Sequence, residues 1–301
     1  MTYLYLVLTT FFWAAVFHLG KYAIAYLSPL SVAAWRFVLA GIVLSVYLGY
    51  RRAWDMAVIR RNWAPLLCMG VIGVFGFNTA MFFGLRHTSS VNAALIMAFY
   101  PAITAMLSAL VGGAKVTPQQ LWGFVTSLVG VAIIVSGGSL HNLLSMSFSL
   151  GDILMLLACF CWASYGVIPG RFIRNLPTLL ITASTVVIGA VMLAVTADVI
   201  EADLWTMPSA PVSLAIVAMA LLGSVLAYLW WNQAIARIGA QRVAVFINLV
   251  PVFTALIGVV LGQSLHVAQI VGALFVIGGV LLTMNARLFA TGLARPGVKS
   301  A

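Results

Sequence analysis

The sequence predicts an all-α polytopic membrane protein: ten transmembrane helices forming two inverted five-helix repeats, with both termini cytoplasmic. Three observations carry that prediction. Hydrophobic residues make up 64% of the 301 and charged residues only 7%, too few charges to cover the surface of a soluble fold this long. A bilayer crossing takes about 20 apolar residues, and short polar turns divide the chain into ten such runs. Finally, the chain resembles itself. Ala94, Pro101, Thr104, Ala105 and Gly112 recur 150 residues later as Ala244, Pro251, Thr254, Ala255 and Gly262.

Each helix has its own signals. Helix 1, residues 3–25, carries Trp13, Phe17, His18 and Lys21. No basic residue precedes it and it is too long for a signal peptide, so it reads as a membrane span. Ser28-Pro29 stops it and caps helix 2, residues 30–50, which contains Arg36. A basic loop leads to helix 3, residues 63–85, with Gly70, Gly73 and Gly76 at three-residue spacing and Asn78 beyond them. Helix 4, residues 92–112, holds Tyr100 and Pro101. Thr117-Pro118-Gln119-Gln120 has the cap, proline and capping-box glutamine of a helix start, and helix 5 follows to Ser136.

Ser149 and Asp152 give the same capping-box spacing at the start of helix 6, which carries Trp162 and Tyr165 to about Gly170. Helix 7 covers residues 177–196, and the loop after it holds Asp198, Glu201 and Asp203, three of the five acids. Helix 8, residues 211–236, holds Tyr228, Trp231 and Asn232; helix 9, residues 242–262, holds Asn248 and Pro251; helix 10 covers residues 267–288. The expected divisions are residues 1–138, a connector at 139–148, residues 149–289, and a basic tail at 290–301.

Charge sets the orientation. With the N-terminus in the cytoplasm, twelve of the fifteen Lys and Arg fall on the cytoplasmic side: Arg51, Arg52, Arg60, Arg61, Lys115, Arg171, Arg174, Arg237, Arg242, Arg287, Arg295 and Lys299. The acidic loop falls outside, as the positive-inside bias requires. This bias accounts for the net charge of +10 without nucleic acid; the lipid bilayer is the partner it implies. Five helices per half is an odd number, so the second half enters from the opposite face. Trp13 with Trp162, Gly123 with Gly272 and Gly130 with Gly279 repeat at an offset of 149.

These features together resemble the drug/metabolite transporter superfamily, specifically its EamA-type ten-helix transporters. The residues behind the resemblance are Phe12-Trp13-Ala14, Ser28-Pro29 with Arg36-Phe37, Pro101 and Pro251, and the glycines Gly123 and Gly272. Within that family the chain is most similar to the YddG-type exporters of aromatic amino acids. The resemblance implies a secondary transporter of the bacterial cytoplasmic membrane, exporting aromatic or apolar amino acids by alternating access. Another metabolite of the superfamily (a nucleoside, sugar derivative or amphipathic drug) is the alternative cargo. Many EamA sequences carry Glu just after helices 4 and 9. Here the turns read Gly112-Gly113-Ala114-Lys115 and Gly262-Gln263-Ser264, which puts any role of those carboxylates in doubt.

Substrate sites of inverted-repeat transporters lie near the midplane where the repeats meet. At 1.5 Å rise per residue, Trp13, Asn78, Trp162, Tyr228 and Asn248 fall near that plane, with Phe17, Tyr100, Tyr165 and Trp231 about a turn away. Trp13 and Trp162 either line a pocket for a flat ligand or pack between helices. Asn78 and Asn248 need polar partners in an apolar medium. His18 is either a proton site or a hydrogen-bonded pocket residue. Pro101 and Pro251 each free a carbonyl one turn earlier, giving a hinge or a tolerated kink. Arg36 faces either the outer interface or the cavity.

Some chemistry is excluded. No Asp or Glu lies deep in any helix, which argues against a carboxylate-based cation exporter. Walker lysine, HExxH and GxSxG motifs are absent from the sequence, so no enzyme, cofactor or metal is expected. Cys159 and Cys161 point to different helix faces. Gly123, Gly130 and Gly137 form a stripe for helix packing or a dimer seam, so monomer and homodimer both stay open.

Overall fold

The helix starts form as their side chains dictate. Ser28 accepts from the Ser31 N–H. Thr117 and Gln120 close a capping box, with the Thr117 N–H donating to Gln120 Oε1 at 2.9 Å. Ser149 and Asp152 close another, the Ser149 N–H donating to Asp152 Oδ2 at 2.7 Å. The computed structural model describes residues 1–88, 90–113, 115–144, 149–264 and 266–284. Residues 145–148 of the expected connector lie outside that set. So do residues 285–301, with Arg287, Arg295, Lys299 and the expected basic tail.

Among the described residues, ten helices are long and apolar enough to cross a membrane: α1 Thr2–Ala23, α2 Pro29–Tyr50, α3 Trp63–Leu85, α4 Asn92–Val111, α5 Pro118–Ser136, α6 Leu150–Phe172, α7 Thr178–Ile200, α8 Ala210–Ile238, α9 Ala240–Val260 and α10 Val267–Met284. Val46, Leu110, Val195, Leu214, Val260 and Leu274 are exposed on their outside. A surface of that kind is suited to lipid.

Packing follows a pattern of exchange between the halves. α1 packs on α8 and α9, while α6, its counterpart five helices later, packs on α3 and α4. The counterparts α2 and α7 pack on each other, as do α5 and α10. In the last pair a Cβ on Gly123 would sit 2.7 Å from the Gly279 carbonyl oxygen, and one on Gly130 would sit 2.6 Å from that of Gly272. Residue numbers rise on one helix as they fall on the other, so α5 and α10 run antiparallel. The glycine stripe is therefore filled within the chain at Gly123 and Gly130. Gly137 instead ends α5 in the left-handed conformation, φ 66°.

Among the described residues, four helices depart from regular winding. α3 winds as a π-helix over Met69–Gly76 and α8 over Met219–Leu226, the same eight positions at an offset of 150. The sequence reads both as plain helices, because π turns need no proline and leave no compositional mark. Their glycines serve matching contacts: a Cβ on Gly73 would meet Tyr165 side-chain atoms at 2.4 Å, and one on Gly223 would meet Val16 Cγ2 at 2.4 Å. Val16 and Tyr165 are themselves 149 apart. In α4 the helix breaks at Phe99, whose N–H bonds the Ile96 carbonyl at 3.1 Å, before restarting at Tyr100-Pro101. In α9 the residues before Pro251 tighten into a 3₁₀ turn, Val245–Asn248. Both breaks sit just before the prolines, where a ring replaces the amide N–H and crowds the preceding turn.

Candidate functional site

The π turn of α8 builds one side of the site. Its Gly223 carbonyl accepts from the Trp13 indole Nε1–H of α1 at 3.0 Å and from Arg36 Nη2 of α2 at 3.4 Å. The neighbouring Ser224 Oγ accepts from Arg36 Nε at 2.7 Å. Only glycine at 223 leaves room, since a Cβ there would meet both Val16 and the Arg36 guanidinium.

Around this anchor the rings of α1, α6 and α8 gather. Trp13 lies 4.9 Å from Trp231, 5.6 Å from Trp162 and 6.2 Å from Tyr228 between ring centroids. Trp162 stacks on Tyr165 at 5.0 Å and meets Tyr228 edge-on at 5.3 Å. Such offset and edge-on pairs each add about 0.5–1.5 kcal/mol beyond their buried area. Tyr100 reaches Trp231 at 6.4 Å. All six rings are buried. They touch one another in this conformation, so a ligand between them must part them.

Polar groups rim the rings. Asn232 donates from Nδ2 to the Tyr165 hydroxyl at 2.8 Å and to Thr182 Oγ1 at 2.9 Å, joining α8 to α6 and α7. The Trp231 indole N–H and Asn232 Oδ1 are buried without a hydrogen-bond partner among the described residues. An unmet polar group in such a place costs about 1–3 kcal/mol, which a bound ligand would relieve.

The structure therefore brings Trp13, Tyr100, Trp162, Tyr165, Tyr228 and Trp231 together. Asn78 is buried, donates from Nδ2 to the Val74 carbonyl at 2.7 Å, and has its side chain beside the Tyr228 hydroxyl of the cluster. Asn248 sits in the 3₁₀ turn before Pro251, both its amide atoms buried without a hydrogen-bond partner among the described residues. His18 Nε2 lies 3.1 Å from the Thr254 carbonyl oxygen and ties α1 to α9. Phe17 is 52% exposed and makes no ring contact with the cluster among the described residues. Sequence reasoning missed Phe37 and Phe77, which extend the cluster to Tyr228 at 5.8 Å and to Trp162 at 5.3 Å. It also missed Ser224 and Thr182. Phe37 beside Arg36 was the available signal; Ser224 and Thr182 offered none, because hydroxyls are common in membrane helices.

Two ties close the ends of the bundle. Asp203, in the loop between α7 and α8, accepts from Ser28 Oγ at 2.7 Å and Ser31 Oγ at 2.6 Å, while Trp35 Nε1 donates to the Leu204 carbonyl at 3.0 Å. Burial pushes the Asp203 carboxyl up, but the Ser31 and Ser28 hydrogen bonds outweigh it and hold the group below the usual value. Between α2 and α3, Asn62 Oδ1 accepts from the Arg174 N–H at 3.2 Å, just before α7.

The model of the EamA-like transporter family matches residues 1–136 and again 149–285. The chain belongs to this family, and so to the drug/metabolite transporters. It is 40% identical over 288 residues to the uncharacterized transporter YyaM of Bacillus subtilis (strain 168), covering 93% of this chain and 92% of that one. An S-adenosylmethionine/S-adenosylhomocysteine transporter of Chlamydia trachomatis is 29% identical, covering 91% of this chain and 85% of that one. The aromatic amino acid exporter YddG of Ancylobacter novellus is 24% identical over 261 residues, covering 86% and 89%. A protein crystal structure at 22% identity superposes with a TM-score of 0.80 over 96% of this chain and 98% of its own, and shares the fold. The protein is a multi-pass membrane transporter.

Proposed function

We propose that this transporter exports aromatic or apolar amino acids across the cytoplasmic membrane by alternating access. The observation that carries this reading is the buried aromatic cluster of Trp13, Trp162, Tyr165, Tyr228 and Trp231 where α1, α6 and α8 meet. Parted rings offer two flat apolar walls to a flat side chain, and the unmet polar groups beside them offer the hydrogen bonds its backbone end needs. The antiparallel pairing of α5 with α10 and the exchanged packing of the halves support two inverted repeats, residues 1–138 and 149–289. Charge bias supports cytoplasmic termini. Pro101 and Pro251 serve as hinges, each beside a local break that regular hydrogen bonding does not stiffen. His18, Asn78 and Asn248 join the site when the rings part. The outward direction rests on the similarity to the named aromatic amino acid exporter.

One observation favours a second cargo: the relative named for S-adenosylmethionine and S-adenosylhomocysteine is more similar, at 29%, than the aromatic exporter, at 24%. Both cargo types pair a flat ring with an amino acid end, so one site chemistry suits both. Proteoliposomes preloaded with unlabelled Phe should accumulate labelled Phe, Tyr or Trp by counterflow. Competition by S-adenosylmethionine or nucleosides, with none by aromatic amino acids, would instead select the second cargo.

A further inference from the structure

Among the described residues Arg36 is the one charged group that meets the aromatic cluster. It lies seven residues in from Pro29 on α2, about 10 Å along the helix axis. Its guanidinium carbon sits 4.9 Å from the Phe37 ring centre. It shares the Gly223 carbonyl with Trp13, so it stands at the edge of the ring cluster. Among the described residues no carboxylate lies within ion-pair distance of it. A cation held that deep without a counter-charge is costly, and proteins keep such groups for function.

The guanidinium is also only partly satisfied. Nε–H is fixed by Ser224 Oγ and one Nη2–H by the Gly223 carbonyl. Those two bonds orient the group, and no protein acceptor among the described residues takes the Nη1 hydrogens. One hydrogen on Nη1 and one on Nη2 then remain for an end-on, two-pronged contact, the geometry that matches a carboxylate. A further unmet donor, the Trp231 indole N–H, is fully buried in the same cluster. Pseudo-symmetry sharpens the point. The residue 149 positions after Arg36 is Thr185, a neutral group that bonds within its own helix and to Tyr165. Packing needs are shared between the halves; the positive charge is not.

We propose that Arg36 is the anion anchor of the transport site, holding the carboxylate of a substrate whose ring inserts among Trp13, Trp162 and Trp231. The proposal rests on the transport reading for its setting and adds the substrate class: a carboxylate joined to a flat apolar group. Gly223 and Ser224 position the guanidinium, and the π turn supplies the carbonyl that does so.

Binding tests it without transport. The clustered tryptophans report through their fluorescence, so purified protein is titrated with 3-phenylpropionate and, separately, with 3-phenylpropanamide, which differ in the charged group. The wild type should bind the carboxylate at least about 10-fold more tightly, the range for a charge-assisted hydrogen-bond pair. Arg36→Gln should bring that ratio to about one while keeping the amide's affinity, which also shows that the variant is folded. Arg36→Lys, with charge but no planar fork, should keep an intermediate ratio. A wild-type ratio near one overturns the proposal, and so does a wild-type ratio kept by Arg36→Gln. If Arg36→Gln does not fold, an unreduced ratio in Arg36→Lys overturns it. A normal binding ratio with no counterflow of any aromatic amino acid would refute the aromatic cargo and leave the anchor standing.

Discussion

Replacing Gly130 by alanine tests the seam that joins the two halves. A Cβ there would lie 2.6 Å from the Gly272 carbonyl oxygen, 2.6 Å from the Val276 nitrogen and 2.8 Å from Val276 Cγ2. Ordinary contact begins near 3.4 Å, so α10 must retreat by several tenths of an ångström. Two of the three atoms are backbone and cannot rotate away. Overpacking of this kind costs about 1–3 kcal/mol, set against about 1 kcal/mol that alanine gains over glycine in a helix. The net is a loss of up to about 2 kcal/mol, or up to roughly 8 °C in Tm for a domain of a few hundred residues. Gly49→Ala and Gly170→Ala are the controls, because nothing lies within 4 Å of either new Cβ; each should hold or raise Tm. Thermal unfolding of the purified protein in one detergent compares all three. Adding Val276→Ala to Gly130→Ala should rescue little, since the backbone atoms remain. Equal shifts from Gly130→Ala and Gly170→Ala would refute the close antiparallel seam.

Trp162→Ala removes a ring touching Trp13, Tyr165 and Tyr228; counterflow should fall at least about tenfold, and unchanged transport would remove the cluster from the site. The same substitution should lower stability by about 3–5 kcal/mol, readable as a lower Tm. Asn232→Leu strips the bonds to Tyr165 and Thr182 and should cost about 1–3 kcal/mol in the same assay. Pro251→Ala restores an amide N–H and should let Val245–Asn248 relax toward regular helix; transport rate should fall with substrate affinity kept, as measured by counterflow and fluorescence together. The folded Asp203 carboxyl is held below its unfolded value, so its contribution is present above the ordinary carboxylate pKa of about 3.9 and lost as pH falls through the lower folded value. Wild-type Tm should therefore drop on acidification in that window, and Asp203→Asn should start lower and show less of the drop.

The fold was legible because a bilayer leaves few choices. Ten apolar runs, capped by Ser28, Thr117 and Ser149, can only be helices, and hydropathy alone places them. The aromatic part of the candidate site was legible for a related reason. Trp prefers the interface, so Trp13 and Trp162 at mid-helix depth stood out, and the ring contacts bear on both. Side-chain direction was less visible. Phe17 is four residues from Trp13 on the same helix face, yet it is half-exposed and stays outside the ring contacts. Asn78 shared the depth of the cluster and meets Tyr228 there, while its Nδ2 is tied one turn back on its own helix, a division that spacing does not reveal. Arg36 is the sharper case: its depth left the interface and the cavity both open, and the deciding partners, Gly223 and Ser224, lie 187 and 188 residues away on a π turn with no sequence signature.

That π turn connects architecture to chemistry. Both halves carry one at equivalent positions, Met69–Gly76 and Met219–Leu226, which makes it part of the shared scaffold. A π turn displaces carbonyls from regular i to i−4 bonding and so supplies acceptors inside the membrane. In α8 the Gly223 carbonyl takes both the Trp13 indole and the Arg36 guanidinium. In α3 the Val74 carbonyl takes Asn78. One scaffold irregularity has thus become the support of a cation in one half and of the neutral Asn78 amide in the other. Duplication alone produces equivalent packing; a substrate with a charged end and an apolar end needs two unlike sides, and the divergence of Arg36 from Thr185 is where this chain has them.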